Sequence, residues 1–256
     1  MITAFAHFNY ADADVTEITA SSTAGTMSAS YLRSPHVAEK WRATSGSASL
    51  TFDLGGLFEV DTVALMGVTL TQAGTTQVRL STSAPTDGDL YDSGSVVGQV
   101  DPRYGYLVRL LSFPVHARYV RVDLTDSSVA AVEVGRPFIG RRTELSETFA
   151  PGVEFGYVDL SKTSRSRGGQ SYIDRNVGYR TINMTFECLS SDDQLGIIEE
   201  LDRVVGQRQD LLFIADTASD NMGRDCLWGL RDDMQATVQP YSIGWLRKSF
   251  RLVERL

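Results

Sequence analysis

Carboxylates are the best-supplied reactive side chains in this sequence: Asp192-Asp193, Glu199-Glu200 and Asp232-Asp233 stand as adjacent pairs. Two carboxylates facing each other across a cleft would be the acid and base of a glycoside hydrolase. Adjacent acids on a helix or in a turn face solvent instead, and these are read as solvated charges. Asp12/Asp14 and Asp87/Asp89 offer the oxygens that a structural calcium ion takes. Neither pair sits in a loop of alternating ligands closed by a glutamate. His7, His36 and His116 lack any His-Glu-x-x-His spacing, so no metal or cofactor is expected. Gly135 and Gly140 have the glycine spacing of a phosphate loop, but Arg141-Arg142 stands where Lys-Ser/Thr belongs. No nucleophile elbow or dinucleotide fingerprint occurs, and the chain is expected to be non-enzymatic. Asn183-Met184-Thr185 spells a glycosylation sequon inside an expected strand and is read as chance.

The elements that carry these residues are mostly strands. From Phe5 to about Glu133 short alternating segments are divided by turn residues, the pattern of a β-sandwich. In Ser49–Leu54 the side chains of Leu50, Phe52 and Leu54 point one way and Thr51 and Asp53 the other. Val60–Val68 is more continuously apolar and suits a central strand. Gln77–Leu80, Tyr104–Leu111 and Arg118–Leu124 follow as strands, the last with Val120, Val122 and Leu124 inward. No helix is expected in this half. Alternation stops between Gly135 and Gly152, where charge, Pro and Gly gather, and a boundary is placed there: domains 1–140 and 141–256.

In the second part Ser161–Gln170 reads as an exposed, mobile loop containing Arg165, Arg167, Gly168 and Gly169. A strand over Tyr179–Cys188 places Ile182, Met184 and Phe186 on one face. A helix is predicted over Asp192–Val205, with a Ser191/Gln194 capping box, a Gly206 stop and a stripe of Leu195, Ile198, Leu201 and Val205. Leu211–Ala215, Met234–Gln239 and Trp245–Leu256 are expected strands. The fold class is therefore mainly β, two β-sandwich-type domains with one flanking helix.

The sequence has 256 residues, with 24 Lys+Arg against 32 Asp+Glu and a net charge of −8. An acidic chain without a basic, aromatic-interleaved cluster is not a nucleic-acid binder. Apolar runs such as Val63–Met66 are far short of the roughly 20 residues that span a bilayer. The first residues lack a basic region and do not read as a secretory signal, so Cys188 and Cys226 are expected to be reduced, buried thiols. Only three of the 24 cationic residues are lysines, Lys40, Lys162 and Lys248. An arginine-rich surface suits bidentate ion pairs at interfaces.

Thr19-Ala20-Ser21-Ser22, Lys40-Trp41-Arg42-Ala43, Leu50-Thr51-Phe52-Asp53-Leu54-Gly55, Val60-Asp61-Thr62-Val63-Ala64-Leu65 and Ala117-Arg118-Tyr119-Val120-Arg121-Val122 occur in that order. The first half thereby resembles the discoidin, or coagulation-factor C-type, module of the galactose-binding-like fold. The resemblance implies a jelly-roll sandwich in which Trp41, Asp53, Gly55 and Arg121 support the fold. It also implies variable loops at one end that bind sugars, lipids or proteins. The chain departs from the fucose-binding branch, since neither His7 nor His36 has the downstream arginine pattern, and the flanking cysteines of secreted members are absent.

The second half is similar to tail proteins of long-tailed bacteriophages. The resemblance rests on the Arg-Ser-Arg-Gly-Gly loop, Tyr179-Arg180-Thr181-Ile182-Asn183, the Leu-Ser-Ser-Asp-Asp helix entry, Leu211-Leu212-Phe213-Ile214-Ala215-Asp216 and Phe250-Arg251-Leu252-Val253-Glu254. It implies a tail-tip or distal-tail component, assembled in the host cytoplasm. The subunit would join a ring-like homo-oligomer through Arg165, Arg167, Gly168 and Gly169, beside neighbouring tail proteins, with host-surface glycan contact as a second role. A stand-alone carbohydrate-binding protein is the alternative expectation.

Overall fold

The computed structural model describes residues 1–239 and 245–256. The protein is mainly β. In chain order the strands are β1 (Ala4–Ala6), β2 (Glu17–Ala20), β3 (Trp41–Arg42), β4 (Ser47–Met66), β5 (Thr75–Ser81), β6 (Tyr91–Asp92), β7 (Val96–Val97), β8 (Leu107–Thr125) and β9 (Glu133–Val134). Then follow β10 (Arg136–Gly140), β11 (Thr143–Glu144), β12 (Glu154–Val158), β13 (Lys162–Arg165), β14 (Ser171–Asp174), β15 (Tyr179–Leu189), β16 (Leu211–Ile214), β17 (Cys226–Arg231) and β18 (Leu246–Glu254). The chain forms two compact units, one of Met1–Glu144 with Leu211–Leu227, the other of Leu145–Asp210 with Trp228–Leu256.

Unit 1 is an antiparallel sandwich built on two long strands. β4 and β8 pair along most of their length, with register shifts between Asp53 and Phe58 and between Val60 and Thr62. β2 pairs with the first half of β4, β10 with its second half, and β5 with the end of β8. Side chains from both sides of the irregularity, Leu50 and Phe52 with Val63 and Leu65, join one core. The sheet therefore folds over at the bulge, as strands do where a sandwich turns a corner. Gly55 lies at the bend with φ +76, and a Cβ there would sit 3.0 Å from the Val15 carbonyl oxygen. The alternation of Leu50, Phe52 and Leu54, and of Val120, Val122 and Leu124, is the one read from sequence, each residue being fully buried. Each such side chain contributes about 1.5–3 kcal/mol by leaving water. Short 3-10 turns at Tyr10–Asp12 and Ala29–Arg33 interrupt a half in which no helix was expected.

The sequence boundary at 140/141 differs from this division. Arg136–Gly140 is a fully buried strand and not the start of a linker. Residues 211–227 return to unit 1 because β1 pairs with β16, Phe5 opposite Phe213. Those two rings lie 5.3 Å apart. A pairing across some two hundred residues leaves no local pattern to read.

In unit 2, β15 lies between β12 and β18, Ile182 opposite both Phe155 and Leu252. Ile182, Met184 and Phe186 are buried as expected. Four expectations are corrected. Ser161–Gln170 is mostly exposed as expected but is a loop only over 166–170, because Lys162–Arg165 is strand β13, paired with β14 in a hairpin with Arg165 opposite Ser171. Residues 191–205 are helical, but α1 (Ser191–Asp193) passes into π-helical stretches, Gln194–Ile198 and Leu201–Val205. The cap is Ser190, whose hydroxyl accepts from the Asp193 N–H at 3.0 Å. Bonding from i to i+5 shifts the buried stripe to Ile197, Ile198, Leu201 and Val205 and leaves Leu195 68% exposed. Met234–Gln239 is not a strand and makes only an isolated bridge, Val238 to Arg247. Finally, Cys188 is exposed while Cys226 is buried, and neither forms a disulfide. The register of β15 against β18 shifts between Phe186 and Leu189, which turns Glu187 and Cys188 outward together.

Candidate functional site

Three connecting segments of unit 1 converge beside β3. Trp41 is fully buried, and its indole N–H donates to the Ser22 carbonyl at 3.0 Å. The Ala24 N–H donates to the Arg42 carbonyl at 2.8 Å, the Arg42 N–H to that of Met27 at 3.2 Å, and the Ala43 N–H to that of Val132 at 2.9 Å. Residues 21–28, 42–46 and 126–132 are thus laced together beside β3. They surround an open concavity of about 460 Å³ lined by Thr26, Met27, Arg42, Thr44 and small residues such as Ala130. The Arg42 side chain is 43% exposed and stands 3.6 Å from the Glu133 carboxylate.

Asp126 fixes the third segment. One carboxylate oxygen accepts from the Thr71 N–H at 2.7 Å and the Thr71 hydroxyl at 2.6 Å, and the other from the Ser128 N–H at 2.8 Å. These hydrogen bonds, those from Thr71 first, hold the carboxyl at about 2, below the ordinary 3.8. A depressed carboxylate pKa stabilises the fold fully above the unfolded value and loses that contribution as pH falls through the folded one. Asp126→Asn is therefore expected to lower stability by about 1.5–3 kcal/mol at neutral pH. The gap to wild type should close between about pH 4 and pH 2, as followed by denaturant titration at several pH values. An unchanged gap over that range would refute the assignment.

None of the residues singled out from sequence lines the concavity; Trp41 directly precedes the lining residue Arg42 and is hydrogen-bonded to the Ser22 carbonyl. Asp53 accepts two bonds from the Arg118 guanidinium, both at 2.9 Å, and one from the Gly55 N–H at 2.9 Å. The Arg118 hydrogen bond holds the Asp53 carboxyl below its ordinary value, against the opposing effect of desolvation. Arg121 pairs with Asp123 at 2.8 Å, and Asp123 also receives Arg79 at 2.5 Å. Arg42, Asp126 and Glu133 escaped sequence reasoning. The signal available for Arg42 was a cation directly beside a buried Trp, between Ser/Thr/Gly-rich runs.

The acidic pairs have other partners. Glu199 meets Arg203 at 3.4 Å, Asp232 meets Arg251 at 3.0 Å, and Asp193 accepts from the backbone and hydroxyl of Ser146. Asp12 pairs with the buried Arg136, and Asp89 accepts from the Thr82 N–H and hydroxyl at 3.1 and 2.7 Å. Among the described residues no group of three or more His, Cys, Asp or Glu is gathered as a metal would need. In unit 2, Arg165, Arg167, Gly168 and Gly169 occupy the tip of the β13–β14 hairpin, and nearly all of 162–178 is exposed.

No protein-family model matches this sequence, and no curated protein matches it. Solved carbohydrate-binding modules are similar to about half of it. The CpGH89 CBM32-6 module from Clostridium perfringens is 17% identical, with 52% of this chain and 99% of that chain covered and a TM-score of 0.42. Chitosan-binding module 1 of a chitosanase/glucanase from Paenibacillus sp. IK-5 is 22% identical, covering 53% and 100%, with a TM-score of 0.42. The family 32 module of C. perfringens NanJ, solved with galactose, is 11% identical, covering 54% and 99%, with a TM-score of 0.43.

Proposed function

We propose that the protein binds carbohydrate through unit 1, without catalysis, and is built into a larger assembly through unit 2. The observation that carries the first part is the concavity beside β3, lined by Thr26, Met27, Arg42 and Thr44, where three segments of the sandwich meet. A hydroxyl-rich ligand needs several fixed donors and acceptors together with some apolar surface. Arg42 supplies a planar donor set, Thr26 and Thr44 supply hydroxyls, and Met27 and the flanking alanines supply contact for sugar C–H groups. Binding by loops at one end of the sandwich is also what the discoidin-like sequence elements imply.

The test is a glycan array probed with the full chain, followed by calorimetry on any hit. Arg42→Ala is expected to weaken binding about tenfold or more, since a hydrogen bond to a charged group is worth about 1.5–3 kcal/mol. Its melting temperature should stay near that of wild type. Failure to retain any glycan, or an Arg42→Ala variant that binds as wild type does, would reject this site.

The second reading, a structural component of a phage tail tip, is favoured by the exposed β13–β14 hairpin. Two strands paired only with each other are marginal in water. They suit a surface supplied by a neighbour, as in a ring whose subunits use unit 2 and present unit 1 outward to the host.

A further inference from the structure

Unit 2 carries two surfaces of opposite charge that have no use for each other within one copy. The first is the hairpin tip. The Ser166 N–H donates to the Gln170 carbonyl at 2.9 Å and the Gly169 N–H to the Ser166 carbonyl at 3.0 Å, with Gly169 at φ +83. This closed turn presents Arg165 and Arg167, both exposed, and neither side chain makes a hydrogen bond or ion pair among the described residues. The second is an open groove of about 520 Å³ lined by Glu154, Asn183, Glu187, Asp233 and Arg251 among others. Arg251 is engaged by Asp232 at 3.0 Å, and Glu187 meets Arg247 only at 4.0 Å, so the groove is acidic.

Two residues that line this groove each carry a buried acceptor without a donor among the described residues. The Asn183 amide donates to Glu154 at 3.0 Å, while its carbonyl oxygen is buried and unpartnered. One Asp233 oxygen accepts from Gln235 at 2.9 Å, while the other is buried and unpartnered. Buried acceptors without donors are costly and therefore uncommon. A guanidinium, with five N–H donors in a planar fork and a positive charge, fits the exposed Glu154 and Glu187 carboxylates of the groove, the two orphaned acceptors lying beneath its surface.

We propose that the Arg165–Arg167 tip of one copy docks into the Glu154/Asn183/Glu187/Asp233 groove of the next copy. The inference rests on the assembly reading of unit 2 and is independent of carbohydrate binding by unit 1. Tip and groove are different surfaces, so the contact is heterologous: it closes into a ring if the rotation permits and otherwise propagates as a filament.

Charge reversal tests it on the full chain, by light scattering across a concentration series. Wild type should associate, more weakly at high salt. A tip variant, Arg165→Glu with Arg167→Glu, and a groove variant, Glu154→Arg with Glu187→Arg, should each associate about tenfold more weakly or worse, because each sets like charges against like. An equimolar mixture of the two should recover association, since every tip then meets an oppositely charged groove. Maleimide labelling of the exposed Cys188, next to Glu187, should slow in the wild-type assembly and in the mixture, but in neither variant alone. Variants that assemble as wild type does would overturn this contact and leave the assembly reading standing. A mixture that fails to recover while both variants melt normally would also overturn it. A wild-type chain monomeric at every concentration would overturn both.

Discussion

Asp202→Ala is expected to destabilise the protein by about 3–5 kcal/mol, the loss that follows when one partner of a buried ion pair is removed. Asp202 stands on the π-helical stretch Leu201–Val205 and meets the Arg231 Nη1 at 2.6 Å and the Lys248 Nζ at 2.6 Å. Arg231 and Lys248 are 2% and 1% exposed, on β17 and β18. The Lys248 ammonium also donates to the Gln235 carbonyl, and the Arg231 guanidinium lies 4.8 Å from the Phe250 ring centroid. Two cations share one carboxylate, and the Arg231 Nε and Nη2 atoms have no acceptor among the described residues. Without Asp202 both cations remain buried with an aromatic face and one carbonyl between them. The matched control is Arg203→Ala on the same helix, where an exposed Glu199 pair at 3.4 Å is worth at most about 0.5 kcal/mol. Denaturant midpoints for the two variants decide the matter. An Asp202→Ala midpoint as close to wild type as that of Arg203→Ala would show that the cluster does not hold the helix to the sheet.

This cluster also marks where sequence reasoning stops. Period 2 over Leu246, Phe250 and Leu252 identifies the last strand, and the structure confirms β18. The same alternation puts Lys248 on the inward face, where it is in fact buried. The countercharge for that residue is Asp202, 46 residues earlier. Local alternation made the sandwich strands of unit 1 legible, because one face of each meets a core and the other meets water. It failed at 162–174, where every strand residue of the hairpin is exposed and there is no buried face to reveal a period. It failed again at Leu195, since a 3.6-residue period misplaces side chains on a helix bonded from i to i+5. The candidate site was legible only as far as Trp41. Arg42, Thr26 and Thr44 become neighbours through backbone hydrogen bonds between loops, and loops of variable sequence carry no periodicity.

Trp41→Ala is expected to cost unit 1 about 3–5 kcal/mol, the range for removing a large buried aromatic side chain. Trp41 is fully buried in the same cluster as Leu32, Leu50 and Val134. It occupies a strand of only two residues, Trp41 opposite Val134 and Arg42 opposite Glu133. The backbone pairing of β3 is therefore slight, and the indole holds the strand down. Trp41→Phe separates volume from hydrogen bonding, since it keeps most of the aromatic packing and removes the donor to the Ser22 carbonyl. That variant should lose about 1–3 kcal/mol, the cost of leaving a buried acceptor unmatched together with the smaller ring. Ser22 is the second residue of the segment 21–28, and its hydroxyl accepts from the Thr44 N–H at 3.2 Å. Freeing that carbonyl loosens the frame that places Thr26, Arg42 and Thr44 around the concavity. A folded Trp41→Phe protein should then bind carbohydrate more weakly than its stability loss alone explains, by calorimetry at a temperature where both proteins are fully native. Binding equal to wild type in a folded Trp41→Phe protein would show that the indole donor does not place the loops. A Trp41→Ala protein that melts with wild type would remove Trp41 from the core.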